Sequence, residues 1–188
     1  MKLYDLGLIV GRFQMFHKGH ESMVKAALEL CNRVVIFIGS SQKENTEQNP
    51  FSFYVRKDMI EKVFPVEFKE GKILVSPLPD IGVGNNEMWG KYILGVFEEE
   101  FGKQPDLYIT GCEKERPSWF TNEIAPNMDE LRLTRHNIDI SATQCRELIL
   151  EDNKDEWKKY VPYQLHKDYD FYRKVIVDLK ETVKWINY

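Results

Sequence analysis

Two short stretches hold most of the residues able to do chemistry in this chain. The first is Gly11-Arg12-Phe13-Gln14-Met15-Phe16-His17-Lys18-Gly19-His20, where two glycines, two histidines and two cations fall within ten residues. Residues 6–10 before it form an apolar run rich in strand formers, and residues 21–30 after it carry apolar side chains at helical spacing. A strand-to-helix turn aims backbone N–H groups and the positive end of a helix dipole at whatever lies over the strand's carboxyl end, where open parallel sheets place their ligands. We therefore read a phosphate site. His17 and His20 are three apart and share a face in a first helical turn, and Gly19 removes a side chain that would keep a nucleotide off the backbone. Taken alone, an H-x-x-H pair reads more readily as a metal pair or as two surface imidazoles.

The second stretch is Asp139-Ile140-Ser141-Ala142-Thr143-Gln144-Cys145-Arg146, which opens a helix running through Leu150 with Ser141 as its natural N-cap. Arg146 lies three residues after Thr143, so hydroxyl and guanidinium share one helix face and suit phosphate oxygens. By its residues alone this octapeptide fits a capped helix with one surface arginine just as well.

The elements that must position these residues alternate along the chain. Residues 33–38 read as a second buried strand, stopped by Gly39-Ser40-Ser41-Gln42. A helix follows with Ser52 as N-cap and Pro65 as stop, carrying Tyr54, Arg56, Met59, Ile60 and Val63. Residues 72–75 form a third strand closed by Pro77 and Pro79, residues 86–101 an amphipathic helix, residues 106–110 a fourth strand ending at Gly111, and residues 130–133 a fifth. Strands separated by helices imply right-handed crossovers and a parallel sheet with helices on both faces. The expected fold is thus α/β and Rossmann-like, with a core over residues 1–150 and a C-terminal helical extension over 151–188 packed on the same domain. In that extension Tyr169, Tyr172, Ile176, Leu179, Val183 and Ile186 line one helix face. We expect them to pack on the domain, a subunit contact in a homo-oligomer being the alternative.

Composition narrows the function. A chain of 188 residues with 43% hydrophobic content can bury one substantial core. Its net charge of −4 argues against a general nucleic-acid or anionic-membrane surface, so a ligand anion must be met locally. No apolar run approaches the roughly 20 residues of a spanning helix and no signal-peptide pattern opens the chain, which points to a soluble, cytoplasmic protein. Cys31, Cys112 and Cys145 are odd in number and lack a C-x-x-C pair, as expected of reduced thiols. The first turn lacks G-x-G-x-x-G, so an intact dinucleotide is expected there as a product rather than a cofactor.

The decapeptide at 11–20 resembles the signature of the nucleotidyltransferase superfamily with the H-x-G-H motif. It is similar in particular to the archaeal-type nicotinamide-nucleotide adenylyltransferases, with Met15 where proline is usual and a looser turn expected. Residues 140–146, I-S-A-T-x-x-R, resemble the superfamily's second signature, in which hydroxyls, helix-end amides and the arginine hold the β- and γ-phosphates of ATP. Residues 38–42 and 49–56 resemble the I-G-S-x-Q and N-P-F-x-x-x-E-R segments of the nicotinamide-nucleotide branch, with Val55 in place of the glutamate. Asp80-Ile81, Asn86 and Trp89 resemble its D-I…N-x-x-W, with a longer intervening loop. Residues 111–115, Gly111-Cys112-Glu113-Lys114-Glu115, look like a G-H-x-K-D segment with cysteine in place of histidine.

The resemblance covers roughly residues 6–150. It implies adenylyl transfer from ATP to the 5′-phosphate of nicotinamide mononucleotide, giving NAD and pyrophosphate. It implies ATP contacts from Gly11, Arg12, Phe13, His17, Lys18, Gly19, His20, Gly111, Ser141, Thr143 and Arg146, with His17, His20, Arg12 and Arg146 catalytic. Gln14, Ser40, Arg56, Asp80, Asn86 and Trp89 are implied on the acceptor side, Trp89 also reading as a helix-face core residue. Mg²⁺ is expected with the triphosphate, and no protein metal cage is visible. The alternatives are a relative acting on a phosphopantetheine, flavin or alcohol-phosphate acceptor, with CTP as a further donor, and a module sensing ATP or NAD without turnover. Retention of both histidines and Arg146 speaks against the last.

Overall fold

Strands β1 (Tyr4–Gly11) and β2 (Cys31–Gly39) lie side by side at the middle of a parallel sheet, with Leu8 level with Val35 and Val10 with Phe37. Both are near-continuous apolar runs, which only a sheet covered on both faces can accommodate. The computed structural model describes residues 2–82, 85–111, 119–133 and 140–186, with side chains as far as residue 182. Helix α1 (Lys18–Leu30) joins β1 to β2, and helix α2 (Phe53–Val63) with the short α3 (Pro65–Lys69) leads to β3 (Ile73–Leu78) on the outer side of β2. Helix α4 (Asn86–Phe101) then carries the chain back across β1 to β4 (Leu107–Gly111), and β5 (Asp129–Leu133) pairs beyond it. The order β3-β2-β1-β4-β5, parallel throughout, is the expected Rossmann-like arrangement. Its winding reverses between β1 and β4, so a crevice opens past their carboxyl ends.

Alternation along β1 sorts the core into two layers. Leu6, Leu8 and Val10 join Val35, Phe37, Ile93 and Phe97 on the α4 side, while Ile9 joins Val34, Ile36, Val24 and Met59 on the α1 and α2 side. Each such side chain contributes about 1.5–3 kcal/mol by leaving water. The second layer continues into α5 (Ala142–Leu150), α6 (Lys154–Tyr160), a 3-10 turn (Tyr163–Asp168) and α7 (Tyr169–Ile186) through Ile149, Trp157, Leu165, Tyr169, Tyr172 and Ile176. The extension is thus three helical pieces, and the stripe from Tyr169 to Ile186 lies on the last of them. Its apolar stripe is buried at Tyr169, Tyr172 and Ile176 and half-buried at Leu179, whereas the side chains of Val183 and Ile186 lie outside the described residues.

Three boundaries differ from the sequence reading. Strand β3 runs through Pro77 to Leu78 instead of closing before the proline, because β3 is an edge strand and a missing N–H there breaks no ladder bond. Pro65 ends α2 but also opens α3, at the first-turn position where its missing N–H would have had no helical partner. Strand β2 begins at Cys31, two residues ahead of the strand read at 33–38, and the Cys31 thiol fills the space left by Gly7, where a Cβ would lie 2.6 Å from the sulfur. Among the described residues no helix is long and apolar enough to cross a membrane.

Candidate active site

A cleft of about 670 Å³ lies over the crevice, with Gly11, Arg12, Phe13 and Gln14 on the β1 side and Thr110 and Gly111 on the β4 side. The turn after β1 is held by its own hydrophobic anchors. Phe13 adopts a left-handed backbone (φ 51°), at a cost of about 1–2 kcal/mol for a residue with a Cβ, and its ring lies under Gly11, where a Cβ would sit 2.9 Å away. Phe13, Met15 and Phe16 are all buried in the core. Met15 therefore pins this turn by packing, which offsets the looseness expected from the absent proline. The Arg12 guanidinium is exposed at the cleft.

His17 caps α1 in extended conformation, and its N–H donates to His20 Nδ1 at 3.4 Å. The two rings stack with centroids 3.8 Å apart and 25° between planes. With Nδ1 accepting, the neutral His20 ring carries its proton on Nε2 and is a donor there. Gly19 makes the stack feasible, since a Cβ would press within 3.0 Å of the His17 ring. Both imidazoles and Gly19 line the cleft.

The second motif reaches the same cleft from the far end of the chain. Ser141 caps α5 in a reciprocal box. Its hydroxyl accepts from Gln144 N–H (3.2 Å) and donates to Gln144 Oε1 (2.9 Å), leaving the N–H groups of Ala142 and Thr143 at the open helix end. Ser141 thus shapes this helix end through its cap, its hydroxyl being already engaged. Arg146 spans the two motifs: Nη1 donates to the Gln14 carbonyl at 2.6 Å and Nη2 to Thr143 Oγ1 at 3.4 Å. Burial first, and the Arg12 charge second, lower the Arg146 pKa from its ordinary value.

On the opposite wall Ser40 is also left-handed (φ 48°), and its hydroxyl donates to Asp80 at 3.1 Å. Burial by itself would raise the Asp80 carboxyl, but Lys43 at 2.8 Å and the Ser40 hydroxyl outweigh it and hold the group below the usual carboxylate range. Trp89 is half-buried and lines the cleft, crossing Trp119 edge-on at 6.2 Å and 83°. Trp119 escaped the sequence reading, because it sits in no periodic element and only the adjacent Trp119-Phe120 pair marks it. Gly90 seats it: a Cβ there would lie 2.0 Å from the Trp119 carbonyl oxygen.

Four of the expected site residues stand away from the cleft or are already engaged within the chain. Lys18 does not face the cleft, because its ammonium donates to the Lys159 carbonyl at 2.6 Å, near the negative end of α6. Arg56 is fully buried and takes no part in the cleft wall, four of its five N–H donors being spent on backbone carbonyls. Asn86 is exposed outside the cleft, since Asn85 takes the cap of α4 by accepting from Met88 N–H. Gln14 lines the cleft, and its amide closes on the Phe51 backbone through two 3.0 Å bonds. Of the 111–115 segment, residues 112–115 lie outside the described residues.

Burial pushes the Cys145 thiol up to about 12 and the Cys31 thiol up to about 11, so neither supplies a nucleophile. Among the described residues no group of three or more His, Cys, Asp and Glu side chains is placed to hold a metal ion.

A family model described as Cytidylyltransferase-like matches residues 8–75. A nicotinamide-nucleotide adenylyltransferase of Saccharolobus solfataricus is 32% identical over 165 residues, covering 86% of this chain and 87% of the relative. One of Thermococcus sibiricus is 30% identical over 161 residues, or 83% of this chain and 78% of the relative. In fold the chain is similar to a bifunctional NMN adenylyltransferase/ADP ribose pyrophosphatase from Francisella tularensis, solved with AMP and a manganese ion, at a TM-score of 0.71 and 21% identity. That match covers 98% of this chain but 55% of the longer Francisella chain. Identity at this level, kept along most of both the chain and its archaeal relatives, makes this protein a member of the nicotinamide-nucleotide adenylyltransferase family.

Proposed function

We propose that this protein is a cytoplasmic enzyme that transfers the adenylyl group of ATP to the 5′-phosphate of nicotinamide mononucleotide, releasing pyrophosphate and forming NAD. The observation that carries the reading is the meeting of the two motifs. Arg146 donates to the carbonyl of Gln14 across 132 residues of sequence, which brings the open N-terminal ends of α1 and α5 to one cleft. Two anion-binding helix ends, a free guanidinium at Arg12 and a pair of imidazoles suit a triphosphate beside a second phosphate better than any single anion. Residues 151–188 are read as part of the same domain, since Trp157 and Tyr172 share its core.

In the proposed reaction a phosphate oxygen of the mononucleotide bonds to the α-phosphorus of ATP as the bond from that phosphorus to the β-bridging oxygen breaks. That oxyanion exists at pH 7, because a phosphate monoester loses its second proton near pH ~6, so no side chain need remove a proton. The protein's task is to hold two anions in line despite their repulsion and to meet the charge growing on pyrophosphate. His17, His20 and Arg12 are assigned to the α-phosphate and the reacting oxygens. Thr143, Arg146 and the α5 amides are assigned to the phosphates beyond it. Mg²⁺ enters as its ATP complex. The aromatic pair Trp89 and Trp119, with Asp80 nearby, is assigned to the pyridine nucleotide.

The test is pyrophosphate release with ATP or CTP as donor against nicotinamide mononucleotide, nicotinate mononucleotide, phosphopantetheine, flavin mononucleotide and glycerol phosphate. NAD formation is read separately with an alcohol dehydrogenase. ATP with a pyridine mononucleotide should exceed every other pair. Faster turnover with a non-pyridine acceptor, or binding of ATP without release, would overturn the reading.

A further inference from the structure

Arg56 is a fully buried guanidinium for which no carboxylate pairs among the described residues, and every one of its partners is a main-chain oxygen. Nη1 donates to the carbonyls of Arg12 (3.0 Å) and Gly39 (2.8 Å), Nη2 to that of Ser40 (3.2 Å), and Nε to that of Ser52 (3.1 Å) at the cap of its own helix. The choice of carbonyls is informative. The Arg12 carbonyl belongs to the peptide that enters Phe13, and the Gly39 and Ser40 carbonyls belong to the peptides on either side of Ser40. Phe13 and Ser40 are the two residues of the cleft wall with left-handed backbones. One planar group therefore holds the peptides that would swing if either residue relaxed.

We propose that Arg56 is a positioning residue for the transfer step: it locks the turn that meets the donor phosphates and the turn that meets the acceptor into one fixed mutual placement. This inference rests on the adenylyl-transfer reading above. The turn after β1 presents Arg12, and the turn after β2 presents Ser40 with its Asp80 partner, so the two sides of the proposed reaction meet at a single side chain that touches neither substrate. A second tie runs parallel to it, from the Gln14 amide to the backbone of Phe51, just ahead of the helix that carries Arg56. Burying an unpaired cation is costly, and an apolar side chain of similar size would fill the volume without that cost. The position instead uses the one side chain whose rigid fork can reach several carbonyls in different directions. Burial, with the Arg12 charge next, lowers the Arg56 pKa to about 10, so the group stays charged at neutral pH.

A residue that sets the alignment of two bound substrates, rather than the grip on either, acts on turnover more than on binding. The test compares wild type with Arg56→Lys in kcat, in the separate calorimetric Kd values of α,β-methylene ATP and nicotinamide mononucleotide, and in Tm. The expected result is a folded variant whose kcat falls about ten- to hundredfold, the scale of a misplacement near 1 Å, with each Kd within about threefold of wild type. An unchanged kcat per folded molecule with a lowered Tm would reduce Arg56 to a scaffold residue. A loss confined to one Kd would make it a binding residue for that substrate. Should Arg56→Lys not fold, Gln14→Ala loosens the same turn from the Phe51 side and must show the same kcat-selective loss, an unaltered kcat overturning the proposal. Wild-type protein that makes no NAD from ATP and nicotinamide mononucleotide would instead defeat the functional reading itself.

Discussion

Replacing Arg146 with alanine separates the phosphates of ATP from one another, because the guanidinium is assigned only to those beyond α. An arginine offers five N–H donors, and here two are spent on the Gln14 carbonyl and Thr143 Oγ1, leaving three for a ligand. Two charge-assisted bonds to phosphate oxygens, discounted because the side chain is only half-buried, come to about 2–4 kcal/mol, or roughly 30- to 1000-fold in affinity. ATP and pyrophosphate should weaken by that factor in calorimetric titration, and AMP by less than about threefold. The alanine variant should also lose about 1 kcal/mol of stability, since the Gln14 carbonyl gives up its donor. Arg146→Lys should recover part of the ATP affinity, an ammonium supplying the charge without the fork. Equal losses for ATP and AMP, or an ATP affinity unchanged in a folded Arg146→Ala protein, would refute the assignment.

Trp89→Ala should raise the KM for nicotinamide mononucleotide about three- to thirtyfold while leaving the KM for ATP nearly unchanged, because an indole face over a cationic pyridinium gains about 0.5–2 kcal/mol. Reduced nicotinamide mononucleotide, with a neutral ring, should lose less, and an unchanged acceptor KM would remove Trp89 from the site. Asp80 is held below its ordinary pKa by Lys43 and Ser40 against the opposing effect of burial. Its contribution to stability is therefore present above the unfolded value near ~4 and is lost as pH falls through the folded value. Asp80→Asn should accordingly show a Tm deficit at pH 7 that shrinks as pH falls below about 4 and through the lowered folded value, and a deficit that does not change with pH would contradict the pairing.

The sequence by itself determined what depends on near neighbours along the chain. Apolar runs at 6–10 and 33–38 could be read as buried strands, Ser52 and Ser141 could be recognised as caps, and the Gly11 to His20 and Ser141 to Arg146 segments could be placed at helix starts, since backbone direction at such a turn is a local property. The alternation of strand and helix likewise made a parallel sheet the expected fold. Tertiary structure decided which side chains remain available to a ligand, because a donor's freedom depends on acceptors brought from elsewhere. Lys18, three residues from Met15 in the motif itself, is claimed by Lys159, and the Gln14 amide by Phe51. Arg56 is drawn inward by carbonyls of two turns that are remote from it in sequence. Trp119 enters the cleft from a loop with no periodic signature because Gly90, on another element, leaves room for its backbone. The crossing of β4 to the far side of β1 creates the crevice in which these residues meet, and the choice of which strand edge to pair is made by long-range packing of two faces that no local pattern encodes.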